Sequence, residues 1–228
     1  MKERIIVALD FDRYYDAKHV VDQLPEAVFF KVGLQAFLKY GIEIVTYLKN
    51  REKKLFLDLK FKDIPNTVYG GVKSSLKYLP DFLTIHLTGG GEMIKKAVEA
   101  AEIAPDLTIL GVTILTSLSD DDLKETGMLL SIEKAVLKLC ELGLANGLKA
   151  FVCSPLEITP IRKRFGKDVV LVTPGIRPQW AAKGDQERVF TPKMAVDAGG
   201  NFLVIGRPIT KAENPSEAFD RILKEITS

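Results

Sequence analysis

The sequence is poor in the residues that usually announce a metal or redox protein. Its 228 residues hold two cysteines, Cys140 and Cys153, and two histidines, His19 and His86. Neither cysteine has CxxC spacing or a histidine cluster beside it, which argues against a structural zinc site. Cys140 falls in a helical stretch and Cys153 in a strand-like one, so both are expected as reduced core residues. No excess of charge exists either: 32 basic and 30 acidic side chains leave a net +2, with no basic block. Nucleic acid is therefore not an expected partner, although a local pocket can still hold a small anion. No apolar run approaches the ~20 residues that span a bilayer. Met1-Lys2-Glu3-Arg4 leads straight into a β-branched segment without a signal-peptide pattern. A soluble, cytoplasmic protein without a membrane partner is expected.

What the chain does have is alternation. Short apolar runs at Ile5–Leu9, Phe29–Val32, Leu55–Leu59, Phe82–Leu87, Leu107–Leu115, Ala150–Cys153, Val169–Val172 and Phe202–Ile205 read as strands. Amphipathic stretches separate them, around Ala17–Leu24, Leu34–Leu48, a segment after Thr67 reaching Leu79, one starting near Gly91, and one through Leu144 that a polar loop, Ser117–Glu125, precedes. Further helical stretches cover Leu156–Phe165, Lys193–Ala198 and Ser216–Ile226. Eight strand–helix units of about 28 residues each imply parallel strands joined by helices. The count of eight favours a closed α/β architecture, a (β/α)8 TIM barrel formed as one domain over residues 1–228. The longest irregular stretch, Pro174–Thr191, has the length of a lid or binding loop.

In such a barrel the chemistry is built at the C-terminal ends of the strands. Those ends carry Asp10, Lys31, Asp58, Lys60, His86, Thr116, Arg177, Gly206 and Arg207. Residues two apart in a strand share a face, so Asp58 and Lys60 are expected side by side in the barrel mouth. Lys31, on the neighbouring strand, is within reach of the same carboxylate. At ~4 Å and an effective dielectric of ~20, each such contact is worth about 4 kcal/mol before desolvation. A lysine held among aspartates is a candidate general acid; the bland alternative is a salt-bridge network that only stabilises the mouth. Lys62 is a less favoured acid, because strand geometry has room to end before Pro65. Gly175, Arg177, Gly206 and Arg207 follow the seventh and eighth strands, where barrels often hold phosphate.

Other polar residues carry less. His86 supports no catalytic assignment, and His19 is expected at the surface. Trp180 either packs over the site or anchors an exposed loop. Asp120-Asp121-Asp122 resembles a metal cluster by composition, but its place at a helix start favours capping.

Taken together, these residues resemble the orotidine 5′-monophosphate decarboxylases of the shorter microbial type. The resemblance covers the whole chain. Its most specific segment is Phe56-Leu57-Asp58-Leu59-Lys60-Phe61-Lys62-Asp63-Ile64-Pro65-Asn66-Thr67, joined by Ala8-Leu9-Asp10, Lys31-Val32-Gly33, Val172-Thr173-Pro174-Gly175-Ile176-Arg177 and Ile205-Gly206-Arg207-Pro208-Ile209. The resemblance implies a decarboxylation to uridine 5′-monophosphate with no metal and no cofactor. It makes Lys60 the proton donor to carbon 6 and sets Asp58 against the scissile carboxylate, with Lys31 and Asp63 completing an alternating charge network. It also implies a homodimer in which Asp63 and Thr67 reach into the partner subunit's site. Asp10 and Lys31 would bind the ribose, Thr116 the pyrimidine, and Arg177, Gly206 and Arg207 the phosphate. Gln186 would close over phosphate and base.

Two alternatives stay open on the residues alone. One is a magnesium-dependent sugar-phosphate decarboxylase or aldolase on the same barrel. That chemistry calls for an acidic residue on the second strand, where this chain has Lys31. The other is a non-catalytic nucleotide-phosphate binder, which has no need of a buried charge network that costs desolvation.

Overall fold

The structure, a computed structural model, describes residues 1–181 and 190–228. Eight parallel strands form it: β1 (Ile5–Ala8), β2 (Phe29–Gly33), β3 (Lys54–Phe61), β4 (Phe82–His86), β5 (Thr108–Val112), β6 (Ala150–Val152), β7 (Val170–Thr173) and β8 (Phe202–Ile205). They pair in chain order, and β8 returns to β1, closing the expected barrel. Helices α1 (Tyr14–Gln23), α2 (Leu34–Lys49), α3 (Pro65–Ser75) and α4 (Gly91–Ala101) follow the first four strands. The second half adds α5 (Asp120–Glu125), α6 (Ile132–Ala145), α7 (Ile158–Phe165), α8 (Pro192–Asp197), α9 (Arg207–Thr210) and α10 (Pro215–Thr227). Among the described residues, no helix is long and apolar enough to cross a membrane.

Strand alternation divides the core in two. Ile5, Val7 and Leu9 belong to the layer between strands and helices, whereas Ile6 and Ala8 face the barrel interior. The interior is plugged at its N-terminal end by aromatic rings. Phe29 and Phe82 pack with centroids 4.8 Å apart, and Phe82 meets Phe202 at 5.1 Å. Smaller side chains, Ala8, Val152 and Val204, sit higher. The barrel is thus filled below and open above, which leaves the C-terminal mouth as the place for a ligand.

Several boundaries differ from the sequence expectation, for local reasons. The fifth strand ends at Val112 rather than Leu115: the Thr113 hydroxyl donates to the Val152 carbonyl at 3.0 Å, and the chain then leaves the sheet so that Ile114 and Leu115 line the mouth. The third helix ends at Ser75; a 3₁₀ turn and a left-handed Leu79 (φ 50°) complete the segment. The polar loop at Ser117–Glu125 contains α5, closed by a capping box between Ser119 and Asp122. The acidic run is therefore a helix start, as expected: Asp120 accepts from the Ile132 amide at 2.7 Å and Asp121 pairs with Lys124 at 2.8 Å. The one-turn helix α9, directly after Gly206, was not anticipated.

Candidate active site

Strand β3 supplies the centre of the site, in a way simple alternation does not describe. Leu57 pairs with Leu83 and Phe61 with Ile85, so four residues of β3 span what two residues of β4 span. Asp58, Leu59 and Lys60 lie in this bulge, and Lys60 has left-handed backbone geometry, φ 50°. That conformation costs a non-glycine residue about 1–2 kcal/mol. The expectation that Asp58 and Lys60 meet holds, but its stated cause is corrected. They meet because the bulge turns Lys60 inward, not because an extended strand carries both on one face. The Lys60 ammonium donates to Asp58 Oδ1 at 2.7 Å.

The network continues across two strands. Register places Lys31 beside Phe56 and Gly33 opposite Asp58. From there Lys31 Nζ reaches Asp58 Oδ2 at 3.5 Å and donates to Asp10 Oδ1 at 3.1 Å. The result is a row of alternating charge, Asp10–Lys31–Asp58–Lys60. Lys31 and Asp58 have side chains only 11% exposed, whereas Asp10 is 62% exposed. Burial by itself pushes the Asp58 carboxyl up. Lys31 and Lys60, with hydrogen bonds from Lys60 and Thr84, outweigh burial and hold it below the usual carboxylate range. Asp58 is therefore an anion at neutral pH. His86 is half-buried and pushed down by burial and by the cations of Lys60 and Lys62, so it is a neutral imidazole there.

Gly33 makes this geometry possible. A Cβ there would stand 2.9 Å from Lys31 Nζ and 3.2 Å from Asp10 Oδ1. In the sequence Gly33 stands out only as part of a motif; its service to the ion pair is visible only once the strands are in register.

Above this row lies a cavity of about 450 Å³, the size of a small-molecule site. Asp10, Lys31, Asp58 and Lys60 line one side, and Thr116, Arg177, Gly206 and Arg207 line the rest of the mouth. The ends of the long loop after β7 are clasped: Ile176 bridges Phe190, and the Arg177 amide donates to the Phe190 carbonyl at 3.1 Å. Arg177 is half-buried and Arg207 exposed. Two guanidinium-bearing residues thus line the mouth beyond the row, Arg207 following the strand that neighbours β1.

Asp63 and Thr67 do not join this cavity within one chain. Both are exposed, and Asp63 Oδ1 accepts from the Ile64 amide at 2.7 Å. Gln186 lies outside the described residues. Trp180 packs on α10, its ring 4.6 Å from the Arg221 guanidinium carbon, and does not line the cavity. Of the two readings left open for Trp180, packing over the site is not observed; it anchors its loop on α10, half-buried rather than exposed. Cys140 and Cys153 are buried and free, as expected, and burial raises Cys140 to about 12. Among the described residues, no group of three or more His, Cys, Asp or Glu is placed to hold a metal ion.

Fold and site together define a class: a (β/α)8-barrel enzyme with a largely buried lysine–aspartate row under a rim that carries Arg177 and Arg207. Comparison with known proteins narrows it. Residues 3–222 match the model of the Orotidine 5′-phosphate decarboxylase / HUMPS family, and the chain belongs to that family. The orotidine 5′-phosphate decarboxylase of Gloeothece citriformis is 42% identical, over 99% of this chain and 98% of its own. That of Thermobifida fusca is 44% identical over 99% and 97%. Among solved structures, orotidine 5′-phosphate decarboxylase from Lactobacillus acidophilus superposes with a TM-score of 0.88 at 39% identity, covering 99% of this chain and all of that one.

Proposed function

We propose that residues 1–228 act as one domain that decarboxylates orotidine 5′-monophosphate to uridine 5′-monophosphate, without a metal, using Lys60 as the proton donor. The observation that carries this reading is the row Asp10–Lys31–Asp58–Lys60 beneath a rim bearing Arg177 and Arg207. Family membership and relatives of that activity at 42–44% identity support it.

The chemistry follows from the placement of charge. The phosphate docks on Arg177 and Arg207, with the turn at Gly206 giving backbone access. Asp10 and Lys31 take the ribose hydroxyls and Thr116 the pyrimidine edge, and Gln186 is assigned to the phosphate and the base. The substrate carboxylate then faces Asp58, a like charge. The bond from carbon 6 to the carboxylate breaks, carbon dioxide departs, and the electron pair stays on carbon 6. The Lys60 ammonium, fixed before the reaction begins, stabilises that pair and then gives it a proton. Solvent reprotonates the amine. Lys31 puts an ammonium on the second strand, where a magnesium-dependent relative would need an acid; this favours the metal-free reading over the sugar-phosphate alternative.

Asp63 and Thr67 complete the site of a second subunit in a homodimer. Their exposure, outside their own chain's cavity, is what this arrangement requires. Leu34, Leu38 and Ile42, every fourth residue along α2, are exposed, as is Ile64 beside Asp63. Such apolar exposure suits an interface next to the site.

Lys60→Ala tests the assignment. The expected result is loss of turnover by many orders of magnitude, with binding of uridine 5′-monophosphate within about tenfold of the parent. Turnover by that variant within about tenfold of the parent would overturn the role given to Lys60.

A further inference from the structure

We propose that Thr84 is a positioning residue for the decarboxylation, its hydroxyl clamping the Lys60 backbone to the Asp58 carboxylate. The proposal rests on the reading of the site given above and adds to it a residue that does not line the cavity.

Thr84 is the one polar side chain in Leu83-Thr84-Ile85 of β4, and it is fully buried. Its Oγ1 accepts from the Lys60 amide at 2.9 Å and donates to Asp58 Oδ1 at 3.0 Å. The direction of both bonds is fixed by chemistry. An amide N–H can only donate and an ionised carboxylate can only accept, so the single hydroxyl proton points at Asp58. A side chain without a hydroxyl breaks both links together.

The clamp acts where β3 is least supported. Lys60 is left-handed and the ladder to β4 is out of step between Leu57 and Phe61. Strand pairing therefore does not hold the Lys60 backbone; the Thr84 hydroxyl does. Its other bond orients the carboxylate. With Thr84 and the Lys60 ammonium both on Oδ1, Oδ2 is left toward Lys31. One buried hydroxyl thus sets both the origin of the proton-donating side chain and the facing of its counter-ion. Held geometry of this kind supports rate rather than ground-state binding.

The test compares Thr84→Val, which keeps the shape, with Thr84→Ser, which keeps the hydroxyl. The valine variant is expected to lose about 100-fold in kcat while its affinity for uridine 5′-monophosphate moves less than about threefold. The serine variant is expected to stay within about tenfold of the parent in kcat. Amide hydrogen exchange at Lys60 gives a readout independent of activity: slow in the parent and the serine variant, fast in the valine variant, with the Leu55 and Leu57 amides unchanged in all three. If the valine variant loses its cooperative melt, Thr84→Ala takes its place, since it also lacks the hydroxyl. The proposal is overturned if the variant without a hydroxyl keeps kcat within about threefold of the parent, if serine rescues nothing, or if Lys60 exchange is the same in all three. A parent chain that does not turn over orotidine 5′-monophosphate would refute the functional reading instead, and the exchange comparison would still decide the clamp.

Discussion

Substituting alanine for Gly33 should damage the site while sparing the fold. Gly33 has φ −86° and ψ 174°, extended backbone that alanine adopts freely, so no conformational strain is expected. The added methyl would lie 2.9 Å from Lys31 Nζ and 3.2 Å from Asp10 Oδ1. Ordinary contact needs about 3.5 Å, so the ammonium must withdraw by roughly 0.6 Å. It is held at 3.1 Å from Asp10 and 3.5 Å from Asp58, and moving it lengthens at least one of these distances. A displacement approaching 1 Å in a catalytic network costs up to about 100-fold. The expected loss in kcat/KM is therefore about 10- to 100-fold, or about 1.4–2.7 kcal/mol of transition-state stabilisation. Stability should change little, because glycine-to-alanine exchange at compatible backbone contributes about 0.4–1 kcal/mol through the unfolded chain, which offsets part of the weakened ion pairing. Steady-state kinetics and a melting curve on the same preparation measure both quantities. A variant with kcat/KM within about twofold of the parent and an unchanged Tm would refute the claim that the Lys31 position matters.

Arg207→Ala should weaken binding of uridine 5′-monophosphate by at least about 1.5 kcal/mol while leaving uridine affinity nearly unchanged; isothermal titration with both ligands checks this, and equal losses would remove the phosphate role. Mixing Lys60→Ala with Asp63→Ala protein, each inactive alone, should restore about a quarter of parental activity through heterodimers with one intact site; no recovery on mixing would place Asp63 outside the partner's site. Glu157, buried at 7% exposure, is pushed up to about 7 by burial, against an ordinary 4.5, despite the hydrogen bond it accepts from the Ser154 amide. The folded state then holds this proton longer than the unfolded state, so stability is fully present below pH 4.5 and falls as pH rises through about 7. Glu157→Gln should accordingly raise Tm at pH 8, by up to roughly 3 kcal/mol of stability, and have little effect near pH 4.5; an equal shift at both values would contradict that account.

Much of the site was legible in the sequence because barrel strands end where chemistry begins. Asp10, Lys31, Asp58 and Lys60, and the pair Arg177 and Arg207, are polar residues closing apolar runs, and the barrel gathers all of them at one rim. The reason Asp58 and Lys60 meet was not legible. Two-residue alternation describes an ideal strand, whereas the bulge depends on how β3 registers against β4, a tertiary property. Thr84 did leave a trace, as a hydroxyl between a leucine and an isoleucine in a strand otherwise built for burial. The spacing demanded of Gly33 left none, since a methyl group there would crowd the Lys31 ammonium of its own strand and the Asp10 carboxylate that follows β1. Asp63 and Thr67 are legible as a motif, yet in one chain they face outward, which is the exposure that the proposed role in a second subunit's site calls for.

The most direct measurement follows the orotate absorbance of orotidine 5′-monophosphate with the purified protein in excess EDTA. The account predicts rapid loss of that band, with carbon dioxide and uridine 5′-monophosphate formed in equal amounts. A stable band in EDTA, with turnover of a sugar phosphate appearing only after magnesium is added, would contradict it and would leave Lys31 without the role assigned here.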